Sequence, residues 1–282
     1  MPVIEPKDPS LPNFRGIHLW HDDLSSCSQR VRMVLAVKGL HWVSHLIEIP
    51  KGDNTTPEYL AINPKGLVPA FVHDGMLMIE SIDIIEYLDR TFLEPPLSPR
   101  DPELRPQMEE WLKRADSAQY DLKVLSHEFL FRAVRKVSAA DLENFEKNVD
   151  NDILVDFIRL YRQGDRLPGA MISESVTRTD VCFRNLDKAL AGMDWLVNDA
   201  LTLADIAWMP NVHRMELMDW PLDRYPNLQS WHERVRSLDA YRKGIVDWEP
   251  PPARELLTSF AKSRGSKGHH VRNYGSLRDQ LV

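Results

Sequence analysis

Residues 94–102 read Glu94-Pro95-Pro96-Leu97-Ser98-Pro99-Arg100-Asp101-Pro102, four prolines in nine positions. Proline fixes φ and lacks a backbone donor, so neither a helix nor a central strand runs through such a stretch. The hydrophobic period differs on its two sides. Before it, short apolar runs alternate with turn residues. After it, apolar residues recur at helical spacing to about residue 248. The chain is therefore expected to divide here, at a linker over 94–102, into an α/β unit and an all-helical unit.

The first unit spans 15–93, behind a polar, proline-containing leader at 1–14 that is expected to be flexible. Residues 16–21 read as a strand. Ser25 or Ser26 caps a helix whose face is Val31, Val34, Leu35 and Lys38, and Gly39 stops it. Residues 42–49 are extended and rich in β-branched side chains. Thr56 followed by Pro57 starts a short helix over 57–62. Pro69 then lies inside the strand-like run 67–72. A cis Val68–Pro69 bond there would turn the Val68 backbone outward and leave its N–H and C=O free for a ligand. His73-Asp74-Gly75-Met76 is a hairpin turn. Glu80-Ser81 then opens a helix carrying Ile84, Ile85 and Leu88 on one face. The order is β-α-β-α-β-β-α.

The second unit spans 103–248. Met108, Trp111, Leu112, Ala115 and Leu122 predict one long amphipathic helix running to about residue 136. Ser138 caps another over 139–158, 164–169 is a break, and 173–190 is a further helix. Thr202-Leu203-Ala204-Asp205 is a capping box before a nearly all-apolar helix. Residues 226–238 form the last helix. Trp111, Trp208 and Trp231 are assigned to the core, and His213 and His232 to structural or surface positions. The arm 249–282 opens with Pro250-Pro251-Pro252 and turns basic past Lys262. It is expected to be a disordered tail, with closure over the site as the alternative.

A net charge of -7 disfavours nucleic acid as a partner. No apolar run approaches the roughly 18 residues of a membrane span, and residues 1–14 do not form a secretory signal. Cys27 and Cys182 are far apart and have no metal-type spacing. They fit a reducing, cytoplasmic setting and predict no metal site.

The stretch Leu24-Ser25-Ser26-Cys27-Ser28-Gln29-Arg30-Val31-Arg32 places hydroxyls and a thiol at a strand-to-helix turn. Unpaired first-turn N–H groups and the helix dipole favour an anion there. Capping alone is the competing explanation of the same residues.

Four motifs then occur in order: 25–40 (SSCSQRVRMVLAVKGL), 63–75 (NPKGLVPAFVHDG), 80–89 (ESIDIIEYLD) and 201–208 (LTLADIAW). Together, over about residues 15–245, they resemble the cytosolic glutathione transferases. The first is similar to the zeta-class signature, and the enlarged helical region is similar to the bacterial β-etherase type. The resemblance implies a thioredoxin-like N-terminal domain, an all-α domain bearing an electrophile pocket, glutathione as cosubstrate, and a homodimer. It implies that the Ser25 hydroxyl meets the glutathione sulfur, with Ser26 and Cys27 beside it. Val68, before Pro69, would pair its backbone with the cysteinyl part. Glu80 and Ser81 would hold the γ-glutamyl end, and Lys65 or Asn54 would reach the glycyl end.

The energetics of such a site are adequate. A thiol of pKa about 8.5 is only about 3% ionised at pH 7. Lowering it by two units takes about 2.7 kcal/mol. A hydrogen bond to a charged group supplies roughly 1.5–3 kcal/mol and a helix N-terminus roughly 0.3–1 kcal/mol.

The resemblance leaves the reaction open. Conjugation to a small, hydrophobic, aromatic electrophile is the leading expectation, followed by β-aryl ether cleavage. A maleylacetoacetate-type isomerase ranks lower, because Leu217 falls where that class places an arginine and Arg214 lies one turn earlier. Two further readings are thiol transfer through Cys27 and a non-catalytic binding scaffold.

Overall fold

The computed structural model describes residues 3–278. Strands β1 (Ile17–His21), β2 (Val43–Leu46), β3 (Ala70–His73) and β4 (Met76–Ile79) make one sheet in the order β2-β1-β3-β4. β2 runs parallel to β1, whereas β3 is antiparallel to both β1 and β4. Side chains alternate across a strand, which assigns the two faces. Leu19, Phe71 and Met78 join the core formed with α1 (Ser26–Val37) and α3 (Ser81–Thr91). Trp20, Val72, Leu77 and Ile79 face the other way, toward Leu11 and Tyr59 of α2 (Pro57–Leu60).

The leader is not loose. Val3 bridges Met78, Ile4 N–H donates to Leu77 O at 3.2 Å, and Lys7 N–H donates to Ala61 O at 3.1 Å. Leu11 is fully buried against the outer sheet face. The leader crosses the β3–β4 turn so closely that a Cβ on Gly75 would lie 2.5 Å from the Pro12 carbonyl oxygen. The polar composition of 1–14 concealed these apolar anchors, Leu11 with Ile4 and Phe14 packed on the same cluster. Residues 1–2 of the expected leader, and 279–282 of the expected tail, lie outside the described residues.

The helical half corrects two boundaries. The expected long helix is instead α4 (Arg105–Ser117) and α5 (Gln119–Phe129), followed by a short 3-10 turn at Phe131–Ala133. The expected helix over 139–158 is α6 (Ala139–Asn148) and α7 (Asp152–Arg162). Asn151 caps the second of these by accepting from Leu154 N–H at 3.1 Å. The remaining helices are α8 (Gly169–Ala189), α9 (Leu203–Leu217), α10 (Pro226–Arg236), α11 (Asp239–Gly244), α12 (Pro251–Ser266) and α13 (Gly275–Arg278). The capping boxes at Ser138 and Thr202 are present.

The C-terminal arm is folded rather than disordered. α12 packs on α5, α9 and the 131–133 turn, and α13 packs on α8. Leu257, Ala261, Val271 and Leu277 are buried there. One apolar cluster runs from the inner sheet face through α1 and α3 into α4 and α9. The two halves are thus welded along α1 and α9, and the cleft beside α1 is fixed by that contact.

Among the described residues, no helix is long and apolar enough to cross a membrane, and no group of His, Cys, Asp and Glu forms a metal site.

Candidate functional site

α1 begins where β1 ends, so its first turn faces the seam between the halves. Ser25 is the N-cap residue, with φ -67 and ψ 118, and its Oγ accepts from Ser28 N–H at 3.2 Å. Of the two expected candidates for the cap, Ser25 and Ser26, Ser25 supplies it. The cap uses a lone pair of the Ser25 hydroxyl. Its proton has no acceptor among the described residues, so it remains available to an anion. Ser26 Oγ instead donates to Gln119 Oε1 at 3.0 Å, and Cys27 Sγ lies 3.6 Å from the same oxygen.

The Val68–Pro69 bond is cis. Tyr59 Oη and Asn63 Nδ2 donate to Leu67 O at 2.6 and 2.7 Å and fix the preceding residue. Among the described residues, nothing bonds to the Val68 N–H or C=O. Glu80 has φ 69, a left-handed value that non-glycine residues rarely adopt. It sits at the start of α3, where no side chain caps the first-turn N–H groups. Lys65 Nζ is 2.7 Å from Glu80 Oε1, with both side chains 44% exposed. Lys65 is thereby placed at the Glu80 end. Asn54 is buried, and its Nδ2 donates to Gly66 O at 2.8 Å, so it holds a loop and does not face the cleft.

The sequence reading missed a polar chain that joins these parts. Arg30 is fully buried on α1, one turn beyond Ser26. It donates to Ala207 O and Ala115 O at 2.9 Å each, to Ser81 Oγ at 3.3 Å and to Asn211 Oδ1 at 3.4 Å. Gln119 Nε2 donates to the same Asn211 Oδ1 at 3.1 Å. Ser26 and Ser81 are thus linked through Gln119, Asn211 and Arg30. The available signal was a charged residue four positions after Ser26 on an otherwise apolar helix face.

A cavity of about 170 Å³ opens beside Ser25, walled by Asp22, Leu24, Leu122, Phe131 and Val134 among others. Lys123, Arg135 and Arg214 also line it. Burial, and secondarily Arg135, draws the Lys123 ammonium down to about 8. Burial likewise holds His127 well below the usual histidine range and pushes the Asp22 carboxyl up. Leu217, by contrast, lies in the core at 5% exposure.

The chain is similar to known proteins over most of its length. Residues 24–91 match the family described as glutathione S-transferase, N-terminal domain, and residues 171–243 match glutathione S-transferase, C-terminal domain. Glutathione S-transferase Z1 of Arabidopsis thaliana is 29% identical over 231 residues, covering 80% of this chain and 90% of that protein. Protein LigF of a Sphingobium strain is 26% identical over 217 residues, covering 73% and 84%. The crystal structure of the β-etherase LigF superposes with a TM-score of 0.73 over 81% of this chain and 98% of that one.

Proposed function

The chain belongs to the glutathione S-transferase family, and from that premise we propose that it activates the glutathione thiol with the Ser25 hydroxyl for attack on a small aromatic electrophile. The observation that carries this reading is the free Ser25 proton at the wall of the cavity, with its oxygen held by the cap.

The residues present fit glutathione. The unpaired Val68 backbone offers one donor and one acceptor to a peptide unit. The open first turn of α3 suits a carboxylate, and Glu80 suits an ammonium. Bound there, glutathione supplies a thiol that attacks as thiolate. Ser25 donates a hydrogen bond to the sulfur, and the α1 first turn adds its dipole. Gln119 holds Ser26 and Cys27 in place beside it, while Leu24, Leu122, Phe131 and Val134 exclude water from the cavity.

The test is a glutathione-dependent conjugation assay with an activated aryl halide. Absence of both glutathione binding and turnover would sink the proposal. Lys65→Met is expected to change stability by less than about 1 kcal/mol, because its ion pair is exposed. It is expected to change the KM for glutathione rather than kcat, which initial-rate kinetics checks.

A second reading is β-ether cleavage, favoured by the extended match to LigF. The same assay with an aryl ether in place of the halide decides between them. An isomerase of the maleylacetoacetate type is less well supported, because Leu217 is in the core. We also expect the homodimer, which light scattering would show at twice the chain mass of 32.6 kDa.

A further inference from the structure

The cavity beside Ser25 holds more positive charge than the chain neutralises. Lys123 lies on α5, Arg135 follows the 131–133 turn, and Arg214 lies on α9. Among the described residues, none of the three pairs with a carboxylate. Lys123 Nζ sits 4.7 Å from the Phe157 ring centroid and 5.2 Å from that of Tyr120. Arg135 Nη1 donates to His127 Nε2 at 3.1 Å. Arg214 donates to the Leu24 carbonyl and stacks over Phe131 at 4.9 Å. Arg214 is 2% exposed, yet its Nε has no partner.

The neighbouring groups do not balance this charge. His127 Nδ1 donates to Lys123 O at 2.8 Å while Nε2 accepts from Arg135, which fixes a neutral ring. Asp22 is the carboxylate on this wall. It accepts N–H bonds from Leu24 at 2.9 Å and Ile49 at 3.4 Å, so part of its capacity is taken. Buried Glu249, bonded to His213, and Asp22 act on Arg214 from a distance, but three cations that are buried or half-buried here lose solvation that an incoming anion restores.

We infer that this cavity is an anion subsite: the second substrate carries a carboxylate held by Lys123, Arg135 and Arg214, with its electrophilic carbon turned toward Ser25. This rests on the transferase reading above. It changes the expected substrate from a plain hydrophobic electrophile to an aromatic acid. α9 supplies the guanidinium from position 214, one turn before Leu217.

The experiment compares 4-chloro-3,5-dinitrobenzoate with 1-chloro-2,4-dinitrobenzene on the full chain. In both, a C–S bond forms at the chlorinated carbon, chloride leaves with the bonding pair, and the thiol proton passes to solvent. The ratio of kcat/KM for the acid to that for the neutral compound is expected to fall about 10- to 100-fold in Arg135→Gln and in Lys123→Met. These two variants serve because Arg214 also braces Leu24 and its replacement perturbs the α1 turn.

A second measurement needs no glutathione. By calorimetry, 3,5-dinitrobenzoate should bind at least tenfold more tightly than 1,3-dinitrobenzene, and Arg135→Gln should abolish the difference. Between pH 7 and 9 Lys123 loses its charge, so affinity for the acid should fall there while that for the neutral ring stays flat. Facing Lys123, Arg135 and Arg214 keep their charge, His127 is held neutral, and burial pushes Tyr161 and Asp22 above their usual ranges.

An unchanged ratio in both variants overturns the inference. So does a rise in the glutathione KM shared by both electrophiles, because the cations would then hold the glycyl carboxylate of glutathione. If neither electrophile turns over but the acid still binds preferentially, the transferase reading fails and the anion subsite stands.

Discussion

Ser25→Ala lowers kcat/KM for conjugation by about 10- to 150-fold while leaving the affinity for glutathione within a few-fold. The magnitude is that of one hydrogen bond to an anion, roughly 1.5–3 kcal/mol, made only once the sulfur is charged. Ser25 is also the N-cap of α1, so the alanine protein loses about 1 kcal/mol of stability as well. Ser25→Gly separates the two effects, since glycine at an N-cap costs only a few tenths of a kcal/mol. Both variants should show the same kinetic loss, and only Ser25→Ala should show the lower urea midpoint. Stopped or initial-rate kinetics with urea melts on the two proteins checks this. Full activity in Ser25→Ala, with activity abolished in Cys27→Ala, would replace the hydroxyl mechanism with thiol transfer through Cys27. Cys27 Sγ lies against Gln119 Oε1 at 3.6 Å, whereas the Ser25 proton has no partner among the described residues, which favours loss of activity in Ser25→Ala.

Asp205→Ala destabilises the protein by about 4 kcal/mol or more, a large share of the 5–15 kcal/mol that holds an ordinary fold. Asp205 is fully buried at the start of α9. Its Oδ1 accepts from Leu196 N–H at 3.0 Å and from the Trp231 indole N–H at 2.9 Å. Its Oδ2 accepts from Thr202 N–H and Thr202 Oγ1, both at 2.9 Å. Alanine orphans two buried amides and one indole donor, each worth about 1–3 kcal/mol, and empties the space of a carboxylate. The same residue therefore ties α9 to α10 and to the 196–202 segment, and α9 is one of the helices, with α11, against which α1 packs. Chemical denaturation followed by tryptophan fluorescence gives the difference. A loss below about 1 kcal/mol would mean that the four bonds are replaceable by water. Asp205→Asn should lie between the two, because the amide keeps one acceptor oxygen and turns a donor toward other donors.

The parts of the fold that were legible in the sequence are those set within a few residues. Between α3 and α4 no α-helix or strand runs through 94–102, as the stereochemistry of proline requires. The β3–β4 hairpin, the Thr202 box and the Ser138 cap are local hydrogen-bond patterns, and each is present. The split of α6 from α7 was equally local, since Asn151 is a capping residue at Leu154 N–H. It was passed over because the apolar spacing runs on without a break. The α4–α5 break had no such signal. Ala118 is neither glycine nor proline, and the turn there directs Gln119 toward Ser26 and Asn211, contacts invisible along the chain. The leader and the arm depart from expectation for a different reason. Their composition is polar, but a few anchors, Leu11 and Leu277 among them, are enough to hold them.

The candidate site divides in the same way. Taken alone, the sequence determined the hydroxyl-bearing turn at 25–28, the proline at 69 and the Glu80-Ser81 helix start, because each is a short-range device whose residues are neighbours. Tertiary structure decided which serine caps α1, and that Lys65 pairs with Glu80 across 15 positions. It decided that Arg30 bridges Ala115 and Ala207, and that Lys123, Arg135 and Arg214 meet around one cavity. Those groups lie on different helices and loops, and nothing in local spacing brings them together. They converge only when α9 packs against α1 and α5 packs against α9. The charge that they concentrate is a property of that packing.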